Sequence, residues 1–225
     1  RDPNLDLSNT ALTIFGSNAK DLITASAQAD VINAGGGNDQ IFGSFGADTI
    51  DAGAGDDVVF VRAADLIDDV SISGGTGSNT LNFGQIFNLQ GFGGTNVGNL
   101  TAPAVTFDLS SSSSDGPGVA TGFANVVGSL EADTITGDST ANILIGGGGA
   151  DVIDGGDGDD TIYGDNNPSD DSGDSFGLLF KQTFGISENN VSGNEGNDIL
   201  RGQAGNDTIF GNLGDDTLDG GTGAD

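Results

Sequence analysis

A nine-residue period is the feature that most constrains the fold of this 225-residue chain. Residues 34–60 read AGGGNDQIF, GSFGADTID and AGAGDDVVF, with Gly at position 4, Asp at position 6 and an aliphatic residue at position 8. The same frame covers 7–60, 128–163 and 193–225, and one isolated unit covers 74–82. A short fixed period of this kind is typical of a solenoid, in which each unit stacks on its neighbours.

The two halves of each unit favour different backbones. Glycine-rich positions 1 to 5 predict a tight turn with positive φ angles, and Thr, Val, Ile and Leu at positions 7 to 9 predict a short strand. Side chains alternate along a strand, so position 8 faces one side and positions 7 and 9 face the other. The predicted core is therefore the set of position-8 residues, which are Ile14, Ile23, Ile32, Ile41, Ile50, Val59, Ile135, Leu144, Ile153, Ile162, Leu200, Ile209 and Leu218.

We predict an all-β fold, a parallel β-roll (β-solenoid) of two parallel sheets with two units per circuit. Residues 61–127 break the frame, and we expect irregular β-rich circuits with protruding loops, a small separate ligand-binding module being the alternative. Residues 164–192 form a second insertion, with an acidic loop and an apolar segment that caps the solenoid or contacts a neighbour. Phe42 and Phe60, both at position 9, are expected to point outward from the same sheet.

The composition excludes several classes of function. The chain has 34 acidic and 5 basic residues and a net charge of -29, so it lacks the clustered Lys and Arg that bind nucleic acid. It has no His or Cys, which excludes Ser-His-Asp and Cys-His nucleophiles, disulfides, and imidazole or thiolate metal sites. No apolar run is long enough for membrane insertion. We expect no enzyme activity, and any bound metal must accept oxygen ligands.

The acidic residues are concentrated in the turns, because 31 of the 34 are Asp, a turn residue. Stacking the units places these carboxylates in rows along each edge of the solenoid, where they repel one another. The core offers only one aliphatic side chain for every nine residues. These observations predict that cations enter the turns. The chain begins without Met and ends in the middle of a unit, so we expect it to be part of a longer protein.

The tracts resemble the repeats-in-toxin (RTX) family, whose pattern is G-G-x-G-x-D-x-U-x. GGGGADVID at 146–154 and GGDGDDTIY at 155–163 match every specified position, and the resemblance covers 16–60, 128–163 and 193–225. It implies several calcium ions between the turns of successive circuits. The ligands would be position-6 carboxylates of units two apart and backbone carbonyls of the glycine turns, which suits the six to eight oxygens that calcium takes.

Carried over residue by residue, the resemblance implies these calcium-binding pairs: Asp21 with Asp39, Asp30 with Asp48, Asp39 with Asp57, Asp133 with Asp151, Asn142 with Asp160, Asp198 with Asp216, and Asp207 with Asp225. The implied turn glycines are Gly35, Gly37, Gly147, Gly149, Gly156, Gly158, Gly205 and Gly214.

These sites are not equivalent in sequence. The units of Asp21 and Asp30 lack glycine at positions 2 and 4, so a carboxylate that only hydrogen-bonds its own turn remains an alternative there. Asn142 replaces a carboxylate with a neutral amide, which weakens its site. The doublets 56–57, 159–160 and 215–216 favour metal binding, because a turn needs only one Asp. We expect the strongest sites at Asp39, Asp57, Asp151, Asp160, Asp198, Asp207 and Asp216.

The resemblance implies type I secretion, with folding on contact with extracellular calcium. The predicted organisation is a first RTX tract at 7–60, the irregular region 61–127, a second tract at 128–163, the insertion 164–192 and a truncated third tract at 193–225. The predicted function is a calcium-dependent structural or adhesive region of a secreted bacterial cell-surface protein, such as a surface layer, an extracellular matrix component or an adhesin. Its partners would be itself or neighbouring surface molecules, polysaccharide or protein. The alternative is the calcium-binding accessory region of a type I secreted enzyme or toxin whose active domain lies elsewhere.

Overall fold

A computed structural model describes residues 10–43, 46–61, 71–83, 104–110, 113–114, 120–165 and 196–225. Within these residues the chain forms nineteen strands and no helix, and most strands are three residues long. That length corresponds to positions 7 to 9 of the repeat, as the alternation of turn and strand residues predicts. The strands are β1 (Thr13–Phe15), β2 (Leu22–Thr24), β3 (Val31–Asn33), β4 (Gln40–Phe42), β5 (Thr49–Asp51), β6 (Val58–Phe60), β7 (Ser71–Ser73), β8 (Thr80–Asn82), β9 (Thr106–Asp108), β10 (Ser113–Ser114), β11 (Ala120–Thr121), β12 (Asn125–Val127), β13 (Thr134–Thr136), β14 (Ile143–Gly147), β15 (Val152–Asp154), β16 (Thr161–Asp165), β17 (Ile199–Arg201), β18 (Thr208–Phe210) and β19 (Thr217–Asp219).

The strands form three sheets. One is eight-stranded, with the order β2-β4-β6-β8-β12-β14-β16-β18. The strands that alternate with these in the chain form a five-stranded sheet, β1-β3-β5-β7-β11, and a six-stranded sheet, β10-β9-β13-β15-β17-β19. Every described pairing is parallel except β9 with β10. The all-β parallel solenoid is therefore confirmed, but the face opposite the large sheet is divided into two sheets instead of being continuous.

The strand register preserves the repeat frame along the whole described chain. Within a tract, paired residues are 18 positions apart, one full circuit, as in the pairing of Ile32 with Ile50. Across the second insertion the pairing resumes in frame, with Ile153 opposite Leu200. The described strands within 61–127 join the same sheets, since β7 and β11 extend the five-stranded sheet and β8 and β12 lie within the eight-stranded one.

The core consists of stacked position-8 side chains. Ten of the thirteen predicted core residues are buried, and Ile14 and Ile209 are partly buried against them. Phe83 and Phe107 from between the tracts add a tilted aromatic contact with ring centroids 5.7 Å apart. Leu218 is exposed, at 48%. β19 is an edge strand that pairs with β17 alone among the described strands, so Leu218 is covered from one side of the sheet only.

The outer face of the eight-stranded sheet differs from its predicted character. Phe42 and Phe60 stack with ring centroids 4.4 Å apart, which agrees with their expected position on one sheet. Phe60, however, is only 4% exposed, so the prediction of an exposed outward aromatic is wrong at that position. Val127 and Ile145, also at position 9, are buried as well. The middle of this outer face is therefore buried, with Asn82 between the apolar side chains of Phe60 and Val127.

The described part of the second insertion is short. Gly164 and Asp165 belong to β16, so the solenoid frame extends past residue 163. The acidic loop and the apolar segment expected after them lie outside the described residues. Among the residues that the structure describes, no helix is long and apolar enough to cross a membrane.

Candidate metal sites in the turns

The position-6 side chains form a column along each edge of the solenoid. In every pair predicted from the sequence, the backbone N–H of one member donates to the side-chain Oδ1 of the member one circuit later, at 2.8 Å for Asp39 and Asp57. The bonds in the other six pairs are 2.8 to 3.2 Å long. Most of these side chains are buried, whereas Asp21 and Asp216 are half-buried and Asp225 is exposed.

Two further pairs cross the second insertion, and the sequence analysis missed them. The N–H of Asp151 donates to Asp198 Oδ1 at 2.8 Å, and that of Asp160 donates to Asp207 Oδ1 at 3.0 Å. The residues in each pair are 47 positions apart, so counting a fixed 18 residues could not find them. The nine-residue frame resumes at residue 193, and continuing the stack across the insertion in that frame would have predicted both pairs.

The second oxygen of many of these carboxylates is buried without a hydrogen-bond partner. A buried unpaired carboxylate oxygen is costly, and a cation or a proton relieves that cost. A turn whose position-6 carboxylate has such a buried, unpaired oxygen is called an open turn here, and it requires a positive partner. The open turns contain Oδ2 of Asp39, Asp57, Asp151, Asp160, Asp198 and Asp207.

The glycines of the open turns make room for backbone carbonyls. Gly35 and Gly37 have φ angles of 100° and 108°, in the left-handed region that favours glycine. A Cβ atom on Gly53 would overlap the carbonyl oxygen of Gly35, and one on Gly55 would overlap that of Gly37. Carbonyls at positions 2 and 4 thus point at the glycines of the next circuit, between the same turns as the carboxylates.

The predicted glycines Gly147, Gly149, Gly156, Gly158 and Gly214 have positive φ as well. Gly205 does not, and in its turn Gln203 takes the left-handed conformation with a φ of 73°.

The donor set of an open turn suits calcium. Within the described residues, no three acidic side chains converge on one point, so a bound ion must also use backbone carbonyls. Calcium accepts mixed carboxylate and carbonyl ligands in flexible geometry, whereas magnesium requires near-ideal octahedral geometry. The open turns therefore fit calcium through position-6 carboxylates and the carbonyls of positions 2 and 4.

Other turns satisfy their position-6 side chain without a cation, and we call them closed turns. Asp30 accepts the Ser26 N–H at 2.5 Å through Oδ2 and the Ser26 hydroxyl at 2.9 Å through Oδ1. Ser129 makes the same two bonds to Asp133.

Two more turns are closed in the same manner. Ser17 donates its N–H and its hydroxyl to Asp21 Oδ2. Asn142 accepts the Asp138 N–H at 2.8 Å and donates its amide to the Ala124 carbonyl at 2.9 Å. The turn-stabilising alternative for Asp21 and Asp30 therefore describes their geometry, and it applies to Asp133 too. Metal binding at all the predicted positions stays a prediction.

The acidic doublets have a separate structural explanation. Asp56 accepts the Ser78 N–H of the next circuit at 2.8 Å, and Asp159 accepts the Asn206 N–H at 2.8 Å. Position 5 thus forms its own hydrogen-bonded ladder beside the position-6 column. In these two doublets the position-5 acid therefore has a hydrogen-bonding role of its own, and metal binding at the doublets stays a prediction.

Burial dominates the electrostatics of the open turns. It raises the pKa of Asp39, Asp57 and Asp198, and it raises the pKa of Asp151 to about 8 and that of Asp160 to about 6. Neighbouring carboxylates of the same column raise these pKa values further, while the backbone hydrogen bond to Oδ1 lowers them. Without a cation, burial therefore disfavours the charged form of these carboxyl groups relative to the same groups in water.

Asp133 combines both effects. Burial raises its pKa, although the bonds from Val105 and Ser129 favour the charged form.

A family model described as the RTX calcium-binding nonapeptide repeat (4 copies) matches the chain in five overlapping or separate segments. They cover more than half of the chain and include all the open turns. The segments are 15–50, 34–63, 122–151, 136–167 and 192–225. A search of curated proteins found no match.

Proposed function

Because this chain belongs to the RTX calcium-binding nonapeptide repeat family, whose repeats bind calcium at several sites, we propose that it is a calcium-dependent structural or adhesive region of a secreted bacterial cell-surface protein. The repeats of this family are structural calcium-binding units without catalytic activity, and they are typical of proteins that type I systems secrete. The proposal adds the surface role and the dependence of folding on the ion.

The observation that supports the calcium-dependent part is the set of buried, unpaired carboxylate oxygens in the open turns. Each circuit that stacks on the solenoid adds such groups to a chain whose net charge is already -29. Ions between the turns would compensate this charge and join successive circuits. Binding free energy then becomes folding free energy, because the site does not exist in the unfolded chain.

The structural or adhesive role is supported by what the described residues build. They form one continuous eight-stranded sheet of short strands, with two smaller sheets opposite it, and the chain has neither His nor Cys for nucleophilic chemistry. A stack of circuits presents the same surface repeatedly along its length, which suits a surface layer, matrix or adhesin. A second copy of the chain or a surface polysaccharide or protein would be its partner.

Circular dichroism of the 225-residue chain tests the calcium-dependent part. We expect most, but not all, of the β structure to be absent in EGTA, and a cooperative gain of β structure between roughly 10⁻⁴ and 10⁻³ M calcium, the range of extracellular modules. Magnesium at the same concentrations is the control and should substitute poorly. An unchanged β spectrum in EGTA would contradict the proposal.

Deletion of the chain from its parent protein tests the surface role. We expect loss of cell-surface retention in calcium-containing medium while secretion continues. Unchanged retention, together with loss of an enzymatic or toxic activity of the parent, would instead support the accessory-region alternative.

A further inference from the structure

The turn that contains the second insertion is assembled from two separate pieces of chain. Asp165 pairs with Gly147 one circuit earlier, so it occupies position 2 of a turn. A Cβ atom on Gly214 would overlap the carbonyl of Gly196, which places Gly196 at position 4 of the same turn. Asp165 and Gly196, from either side of residues 166–195, therefore belong to the same turn.

Hydrogen bonds from the next circuit fix Asp165 in place, and one of its two carboxylate oxygens takes no part in them. Its side chain is only 7% exposed. Its Oδ2 accepts the Leu213 N–H at 3.0 Å, and its backbone carbonyl accepts the Asn212 amide at 2.9 Å. Its Oδ1 is buried and makes no well-formed hydrogen bond, although the backbone N–H of Gly196 faces the carboxylate and favours its charged form.

The same turn contains a second unpaired oxygen, Oδ2 of Asp198. Asp198 Oδ1 is engaged by the N–H of Asp151 at 2.8 Å, which fixes the carboxylate in place. A Cβ atom on Gly164 would overlap Asp198 Oδ2, so this oxygen lies against the backbone that immediately precedes Asp165. Two buried carboxylates with spare oxygens thus belong to one turn, one from each side of the insertion.

Position 2 has no such group in the other described turns. Glycine occupies it in most open turns, including those of Gly35 and Gly156. Asp138 also stands at position 2, but its Oδ1 accepts the N–H and the hydroxyl of Thr140, at 2.7 and 2.8 Å. Asp138 therefore stabilises its own turn, whereas Asp165 has an oxygen available for a ligand.

We propose that Asp165 is an additional calcium ligand, which together with Asp198 makes a site with side-chain carboxylates from both sides of the inserted segment. Calcium affinity rises with the charge of the ligand set, so this site binds calcium more tightly than the open turns with glycine at position 2. The ion joins the two ends of the insertion. The inference requires calcium binding by the turns and is independent of the proposed surface role.

Calorimetric titration of the full chain with calcium chloride tests the proposal. Asp165→Asn keeps an oxygen that can accept the Leu213 bond but removes the charge, and we expect the tightest calcium site to weaken about 10-fold or more. Asp138→Asn is the matched control, with the same substitution at the same turn position, and its binding should stay within about twofold of the wild type. Circular dichroism in saturating calcium checks that both variants fold.

A terbium experiment localises the effect. Tyr163 is the single tyrosine of a chain without tryptophan, and it lies two residues before Asp165 in β16. Terbium occupies calcium sites and luminesces when a nearby tyrosine is excited, so Tyr163 reports ions bound at the ends of its own strand. We expect Asp165→Asn to reduce this luminescence and Asp138→Asn to leave it unchanged.

The outcomes separate this proposal from the calcium dependence itself. Wild-type affinity and wild-type luminescence in Asp165→Asn would overturn the proposal and leave Asp165 as a residue that only fastens two circuits. A wild-type chain that binds no calcium would overturn both this proposal and the calcium-dependent function.

Discussion

Asn79 and Asn142 occupy position 6 of turns in which the repeat normally has Asp. Asn79 accepts the Asp57 N–H at 2.9 Å, as an Asp would, and its amide donates to the Gly122 carbonyl at 3.0 Å. Asn142 donates to the Ala124 carbonyl in the same way. An amide hydrogen thus takes the place of a cation beside a turn carbonyl. One change of side chain, from carboxylate to amide, converts an open turn into a turn without a metal requirement.

The inward side chain at position 8 is the residue on which the core depends most directly. Ile153 is fully buried between Ile135 and Leu200 in the six-stranded sheet. Ile153→Asp places a charge in a core one side chain deep, at a cost of several kcal/mol. We expect this variant to fail to gain β structure in calcium, as measured by circular dichroism.

Thr134→Asp is the matched control for that experiment. Thr134 lies in β13 of the same sheet, but its side chain is exposed. The same introduced carboxylate should therefore leave the calcium midpoint of folding nearly unchanged. Normal folding of Ile153→Asp, or equal damage from both changes, would show that the inward face has been assigned wrongly. Phe60 would be a poor outward control because its ring is buried.

The closed turns make up two complete circuits, which are stabilised by hydrogen bonds instead of by an ion. Residues 16–33 contain the turns of Asp21 and Asp30, and residues 128–145 contain those of Asp133 and Asn142. In these circuits, hydrogen bonds from position 2 replace the ion. Each such bond contributes about 1 kcal/mol and does not depend on calcium.

Hydrogen exchange in EGTA tests whether these circuits are less calcium-dependent than the rest. We expect the amides of β13 and β14 to exchange about tenfold more slowly than those of β17 and β18, whose turns are open. Saturating calcium is the control condition and should remove most of the difference. Equal exchange of all four strands in EGTA would show that the closed turns give no independent stability.

Most of the fold could be predicted at the level of the repeat. The period assigns the strands and the inward residues because it depends only on local turn and strand preferences, and the frame places each position-6 residue one circuit from its partner. The division of the second face into two sheets was not predictable, because it depends on pairings such as Ile72 with Ala120 across a long irregular region. The position of Asp165 in the same turn as Asp198 was not predictable either, because that turn is completed only after residue 195.

The buried carboxyl groups make the stability of the calcium-free molecule depend on pH. Without calcium, burial raises the pKa of Asp160 to about 6 and that of Asp151 to about 8, above the ordinary value of 3.8. Between the ordinary pKa of 3.8 and these raised values, the native chain binds more protons than the unfolded chain. The free energy of unfolding therefore decreases as pH rises through this range. The stabilisation is complete below about pH 4 and is lost as pH rises through about 6 to 8. The net charge of -29 acts in the same direction, because acidification reduces repulsion.

We therefore expect the calcium-stripped chain to gain β structure when the pH is lowered from 8 to 5, as followed by circular dichroism in metal-free buffer. In saturating calcium, the ions replace the protons and the spectrum should change little over this range. Asp151→Asn removes a group whose pKa is raised to about 8, so it should flatten the part of the calcium-free profile between about pH 6 and 8. A calcium-stripped chain that loses β structure on acidification would contradict the assignment of these carboxylates as the groups that calcium relieves. Calcium affinity measured at pH 6 and at pH 8 gives the complementary result, since protons and calcium compete for the same oxygens and the affinity must be higher at pH 8.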